Sequence, residues 1–321
     1  MTTSQESAIV EDVLGAPYTA ETITLPDDHE GAVVATLVKR PASRATTRAV
    51  LHVHGFSDYF FQTAYAEWWN EQGYDFYALD LRKYGRSLRP HQTPAFVHDL
   101  SEYDPELDAA WTMITERDGH TGVVVIGHST GGLVTSLWAD RRQPAALAGL
   151  VLNSPWLDLQ GSAVLRVVGT PVIKQLGKRK PMFEIGREVD GLYAKSLHLD
   201  HAGEFDFNVE WKPLGSMRVY AGWLAAIRHG HAQLQRGLSV PAPVLVLSSD
   251  RSGVGRVMGD LVHTRDIVLS VRQIRRWATA VGRHVTYVAV PGAKHDVYLS
   301  RPEARQTAYD ETRRWLTAYV D

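Results

Sequence analysis

Residues 123–140 read VVVIGHSTGGLVTSLWAD, a run of β-branched apolar residues joined to a helical pattern through Gly127-His128-Ser129-Thr130-Gly131-Gly132. An apolar run without polar alternation is typical of a strand buried on both faces. Two readings of the serine between glycines are open. It is an ordinary tight turn, or the sharp strand-to-helix junction lifts the hydroxyl clear of a sheet as a nucleophile, with small neighbours allowing close packing. The helix that starts there also directs its positive end at any anion forming on the serine.

Working outward, the same apolar runs recur at residues 21–25, 31–40, 48–55, 74–82, 147–154, 242–249 and 284–292, bounded by turn residues and mostly separated by helical patterns. Strands alternating with helices imply a mostly parallel sheet covered on both faces. Eight such strands are expected. The rhythm breaks between about residues 160 and 236, where no strand pattern appears and Phe183, Tyr193, Phe205, Phe207, Trp211, Tyr220 and Trp223 occur. The expected organisation is a core of residues 1–159 and 237–321, with a helical lid, 160–236, inserted over the strand ends.

Composition narrows the function. The 321 residues carry a formal net charge of -2, which gives no long-range field for nucleic acid or an anionic membrane. The absence of cysteine excludes disulfides, thiolate catalysis and Cys-ligated metal. No stretch approaches the roughly 18 apolar residues of a spanning helix, and residues 1–15 do not read as a signal peptide. A cytoplasmic protein acting on a small molecule, without cofactor, is the expectation.

In an open parallel sheet, ligands bind beyond the carboxyl ends of the strands, and chemistry-bearing residues stand there. His295, in VPGAKHDVYL after the last strand, is the candidate base for Ser129; the alternative is a surface loop histidine. His128 is expected to pack or hydrogen-bond beside the serine, at the edge of a substrate pocket. For the carboxylate that orients the base, Asp266 is favoured because apolar residues and a helix come after it. Asp250, at the exit of the 242–249 strand, is the alternative, with Asp260 behind both. An oxyanion needs donors, most simply the amides of Thr130 and of Phe56 in HVHGFSDY, where Gly55 lets the turn close. His52 and His54 alternate on one strand face, but no third metal ligand is in view.

HVHGFSDY, ALDLRKYGRS, GHSTGG and GAKHD, in this order, resemble an α/β-hydrolase, nearest to the monoacylglycerol lipase and lysophospholipase group (serine aminopeptidase S33). The resemblance covers about residues 50–161 and 240–321. It implies a triad of Ser129, His295 and one aspartate, with oxyanion amides at Phe56 and Thr130. Lys83-Tyr84 stands where the group usually has a glycine–histidine or similar pair, and a fifteen-residue insert separates Asp250 from Asp266. The implied activity is hydrolysis of carboxylic esters, of monoacylglycerol or lysophospholipid type or other apolar acyl or aryl esters, with Trp211 and Trp223 as candidate pocket walls. An aminopeptidase or amidase would need a lid carboxylate for the substrate amine, and Glu184, Glu188, Asp190, Glu204, Asp206 and Glu210 keep that reading open. The basic run Lys178-Arg179-Lys180 is a solvated loop or a feature that steers an anion. A ligand receptor with an idle triad is the reading from another class.

Overall fold

The computed structural model describes residues 8–160, 163–186 and 190–321. Nine strands make one sheet in the order β1-β2-β3-β5-β4-β6-β7-β8-β9. They are β1 (Ile9–Glu11), β2 (Thr19–Asp28), β3 (Gly31–Arg40), β4 (Arg48–Val53), β5 (Asp75–Asp80), β6 (Gly122–His128), β7 (Leu147–Asn153), β8 (Val244–Ser249) and β9 (Val285–Val290). β1 through β3, and the contact of β3 with β5, are antiparallel. From β5 across to β9 every pair is parallel.

The helices are α1 (Thr63–Glu71), α2 (Asp104–Thr112), α3 (Thr130–Arg142), α4 (Ala163–Arg179), α5 (Leu192–Lys195), α6 (Ala221–Leu234), α7 (Asp260–Thr264), α8 (Val271–Trp277) and α9 (Pro302–Tyr319). Period-two alternation sends each central strand to two cores. Val123 and Val125 of β6 face the core built with Leu107 of α2, Leu133 and Trp138 of α3 and Ile274 of α8. Val124 and Ile126 face the opposite core, with Trp69 of α1 and Ala308 and Trp315 of α9. The sheet is therefore covered on both sides, and neither layer covers its strand ends.

Two details depart from the sequence expectation. A ninth strand, β1, pairs with the outer edge of β2 (Ile9 with Glu21) although all three of its residues are exposed, so it carries no burial pattern to read. β2 runs on past Leu25 through Pro26 instead of turning there, with its register shifting between Leu25 and Asp28; β1 pairs only with Thr19–Glu21, so Pro26 falls at an irregularity on an uncovered stretch, where proline is tolerated. β7 and β8 are neighbours, so the chain between them is an excursion from adjacent strands. Among the described residues it holds α4, α5 and α6 and no strand. No described helix is long and apolar enough to cross a membrane.

Candidate active site

Ser129 lies between the last residue of β6 and the first of α3, with φ 52° and ψ −114°. Left-handed φ is strained for a serine, at roughly 1–3 kcal/mol. The surroundings hold it there. The Ser129 amide donates to Asn153 O (3.0 Å), and Ser129 O accepts from Gly132 N (3.0 Å) and Trp156 N (2.9 Å). The glycines are required by contact. A Cβ on Gly131 would lie 2.3 Å from His54 O, and one on Gly127 would lie 2.4 Å from Thr135 Oγ1. Helix α3 thus begins hard against the end of β4, which is where the HGF turn starts.

The histidine and the carboxylate converge on this hydroxyl. His295 Nε2 lies 3.0 Å from Ser129 Oγ, and its Nδ1 lies 3.0 Å from Asp266 Oδ2. His295 is 2% exposed and Asp266 is fully buried. Asp266 Oδ1 accepts from the amides of Val268 (2.8 Å) and Leu269 (2.7 Å), which fixes the other oxygen on the imidazole. A carboxylate can only accept, so Nδ1 carries a hydrogen and Nε2 offers its lone pair to the serine. A hydroxyl, a base and an orienting carboxylate in one line can generate a nucleophile.

The other aspartates do different things. Asp250 Oδ1 accepts from the Gly292 amide (3.2 Å) and Oδ2 from Arg251 Nε (2.9 Å), bracing the loop that leads to His295. Asp260 is exposed and pairs with Arg301 at 2.6 Å. The insert between Asp250 and Asp266 closes on itself. Asp266 N donates to Arg251 O (3.0 Å) and Gly253 N donates to Asp266 O (2.9 Å), so the chain leaves and re-enters the end of β8 at one place.

The HGF turn abuts the serine: a Cβ on Gly55 would lie 3.1 Å from Ser129 Cβ. His54 accepts from Leu81 N at Nε2 (3.1 Å) and donates from Nδ1 to Gly55 O (2.8 Å), so it spends both nitrogens on the turn. His52 packs among Phe60, Tyr65 and Phe76, and burial pushes it down to about 3. Among the described residues no three metal-ligating side chains converge. Lys83 is buried between Asp28 and Glu30, at 2.6 Å from each, and Tyr84 packs on His54.

Trp223, on α6, lies over the Phe56 ring with centroids 4.3 Å apart and beside Trp156 at 5.9 Å. Trp211 is half-buried against Tyr59 at 5.2 Å. Trp223 therefore reaches Phe56 of the HGF turn, whereas Trp211 packs on Tyr59, three residues further along the chain. His128 is buried, its Nδ1 is 3.3 Å from Asp58 Oδ2, and its Nε2 has no partner among the described residues. Four further neighbours are Asp58, Lys212 and Lys294, which carry no sequence expectation, and Tyr193, expected only as one of the lid aromatics. Lys212 Nζ meets Asp58 Oδ1 at 2.7 Å. Tyr193 sets its ring edge-on to His295 at 5.5 Å and its hydroxyl accepts from Asp296 N (3.2 Å). Lys294 Nζ donates to Ser196 O at 2.7 Å. Asp58 lies inside HVHGFSDY, but a turn aspartate gives no sign of a partner 154 residues away.

Glu184, Asp190, Glu204, Asp206 and Glu210 are all exposed, and Glu188 lies outside the described residues. Lys178, Arg179 and Lys180 are exposed too.

A family model described as Serine aminopeptidase, S33 matches residues 44–302. The chain is 31% identical to Phospholipase YtpA of Bacillus subtilis over 84% of this chain and 95% of that protein. It is 24% identical to Monoacylglycerol lipase of Mycolicibacterium smegmatis, over 84% of this chain and 88% of that protein. In fold it is similar to the crystal structure of a soluble variant of monoglyceride lipase from Saccharomyces cerevisiae bound to a substrate analog. The TM-score there is 0.68 at 16% identity, covering 94% of this chain and 96% of that one.

Proposed function

The chain belongs to the serine aminopeptidase S33 family, and from that premise we propose that it is a serine hydrolase of lipid-like carboxylic esters, of the monoacylglycerol or lysophospholipid class. The observation that carries this is the line Ser129–His295–Asp266, with both contacts at 3.0 Å. Ser129 Oγ attacks the ester carbonyl as His295 Nε2 takes its proton, and Asp266 stabilises the imidazolium that forms. The amides of Phe56 and Thr130 receive the oxyanion. His295 then gives the proton to the departing alcohol, and water repeats the cycle on the acyl-enzyme. Asp250 braces the His295 loop and takes no part in the proton transfer.

The excursion between β7 and β8 serves as the lid. Trp223, Trp156 and Phe56 form an aromatic wall beside the turn, suited to an acyl chain. The amide-cleaving alternative receives no support from the described lid acids, which are exposed, while the buried Asp58 already has Lys212. The reading is tested by incubating the protein in parallel with a monoacylglycerol, a lysophosphatidylcholine and a panel of aminoacyl p-nitroanilides. Fatty acid release from the first two, with anilide turnover at least about a hundredfold slower, is expected. Preferential anilide cleavage would overturn it in favour of a peptidase, and tight lipid binding without turnover in favour of a receptor.

A further inference from the structure

We propose that Lys212 is a positioning residue that neutralises a carboxylate built into the oxyanion turn, so that the nucleophile's site is electrostatically competent only with residues 208–217 seated on it. The proposal rests on reading the Phe56 and Thr130 amides as oxyanion donors.

Asp58 stands two residues beyond Phe56 and is 2% exposed. Burial by itself would raise its pKa, but the Lys212 ammonium, with His128, holds the carboxyl well below the usual range, so it is ionised. Lys212 is equally dry, at 4% exposed, with the rings of Phe61, Tyr193 and Phe207 within 5.7–5.9 Å of its Nζ. The residues around this pair are stapled as well. Met217 N donates to Ser57 Oγ (3.0 Å) and Asn208 N donates to Tyr59 OH (2.7 Å). Three consecutive turn residues, Ser57 to Tyr59, thus each hold one point of residues 208–217.

Charge decides what this contact is for. Without Lys212, the nearest partner of Asp58 would be His128, whose ring lies 5.0 Å from that of His295. An unpaired carboxylate there opposes negative charge growing on the substrate oxygen, and in a water-poor site such opposition is poorly screened. It also favours the protonated base. His295 faces Asp266, Ser129, His128 and Tyr193, with Asp58 beyond His128. Its chain neighbours are engaged elsewhere: Lys294 on Ser196 O, and Asp296 on Asn153 Nδ2 and the Tyr298 amide.

The test uses p-nitrophenyl acetate, too small to need an acyl wall, and pH profiles of kcat/KM for Lys212→Met, Asp58→Asn, Lys212→Arg and the double variant D58N/K212M. Lys212→Met is expected to lose about tenfold or more in kcat, with the acid limb of its profile moved to higher pH. Asp58→Asn moves that limb to lower pH, the double variant regains most of the rate and the wild-type limb, and Lys212→Arg stays close to wild type. A lost buried pair partner also destabilises; if Lys212→Met fails to fold, Asp58→Asn and the double variant still give the comparison. A double variant as slow as Lys212→Met, or an acid limb unmoved by Asp58→Asn, would overturn the proposal and leave the pair a mere tether. Wild-type turnover and its loss in Ser129→Ala test separately whether Ser129 is the nucleophile beside that turn, since the variant ratios bear only on Lys212.

Discussion

Asp250 and Asp266 leave and rejoin the end of β8 within one backbone pair of each other, yet only one of them meets an imidazole. The difference lies in the backbone on the C-terminal side of each residue. After Asp266 the chain turns back through the Val268 and Leu269 amides, which hold one carboxylate oxygen and present the other to His295 Nδ1. Asp250 spends its oxygens on Gly292 N and Arg251. Asp266→Asn is therefore expected to fold, by circular dichroism, but to lose about 10⁴ in kcat, because an amide can hold the wrong tautomer. Asp250→Asn should lose at most about tenfold through a looser His295 loop. What the sequence shows of these residues follows their place along the backbone. Ser129 and His295 could be nominated because each stands where a strand ends, and Asp266 because apolar residues come after it. Asp58 and Lys212 could not, since a turn aspartate and a lysine among aromatics each suit solvent until the fold brings them to 2.7 Å.

The elements were readable where burial imposes a pattern. β4, β6 and β8 carry the unbroken apolar runs Ala49–Leu51, Val123–Ile126 and Val244–Leu247 because both faces are covered. α3, by contrast, starts at Thr130, earlier than its apolar spacing at Leu133 suggests, since its first turn is chosen for close approach rather than for burial. β1 has no buried residue and left no trace. The junction of α5 with the loop after β9 was equally hidden, and it carries a titratable contact. Lys294 is 4% exposed, and burial pushes its ammonium down to about 8 from 10.5. The unfolded chain then binds more protons than the folded one between these values, so this residue's contribution to stability grows as pH rises from about 8 to 10.5 and is lost as pH falls through 8. Denaturant unfolding of wild type and Lys294→Met at pH 7 and pH 10 should show the gap moving in favour of wild type on the alkaline side, by up to about 3 kcal/mol. A gap independent of pH would mean that the lysine is not desolvated.

In the whole molecule the two cores cover the faces of the sheet, and the excursion between β7 and β8 is fastened to two of the loops at its strand ends. Ser57, Asp58 and Tyr59 hold it at the loop after β4, and Tyr193 and Ser196 hold it at the His295 loop. In the sequence this segment shows only as a break in the strand rhythm; which of its residues touch the core does not show there, because those contacts join polar groups without periodicity. The proposed chemistry turns on Ser129 as the nucleophile of a serine ester hydrolase. It is tested most directly by treating wild type and Ser129→Ala with a fluorophosphonate and locating the adduct by intact mass and peptide mapping. One adduct per wild-type chain, on the peptide containing Ser129, and none on the folded alanine variant is the expected result. An adduct that persists in Ser129→Ala, or that maps to another residue, would contradict it.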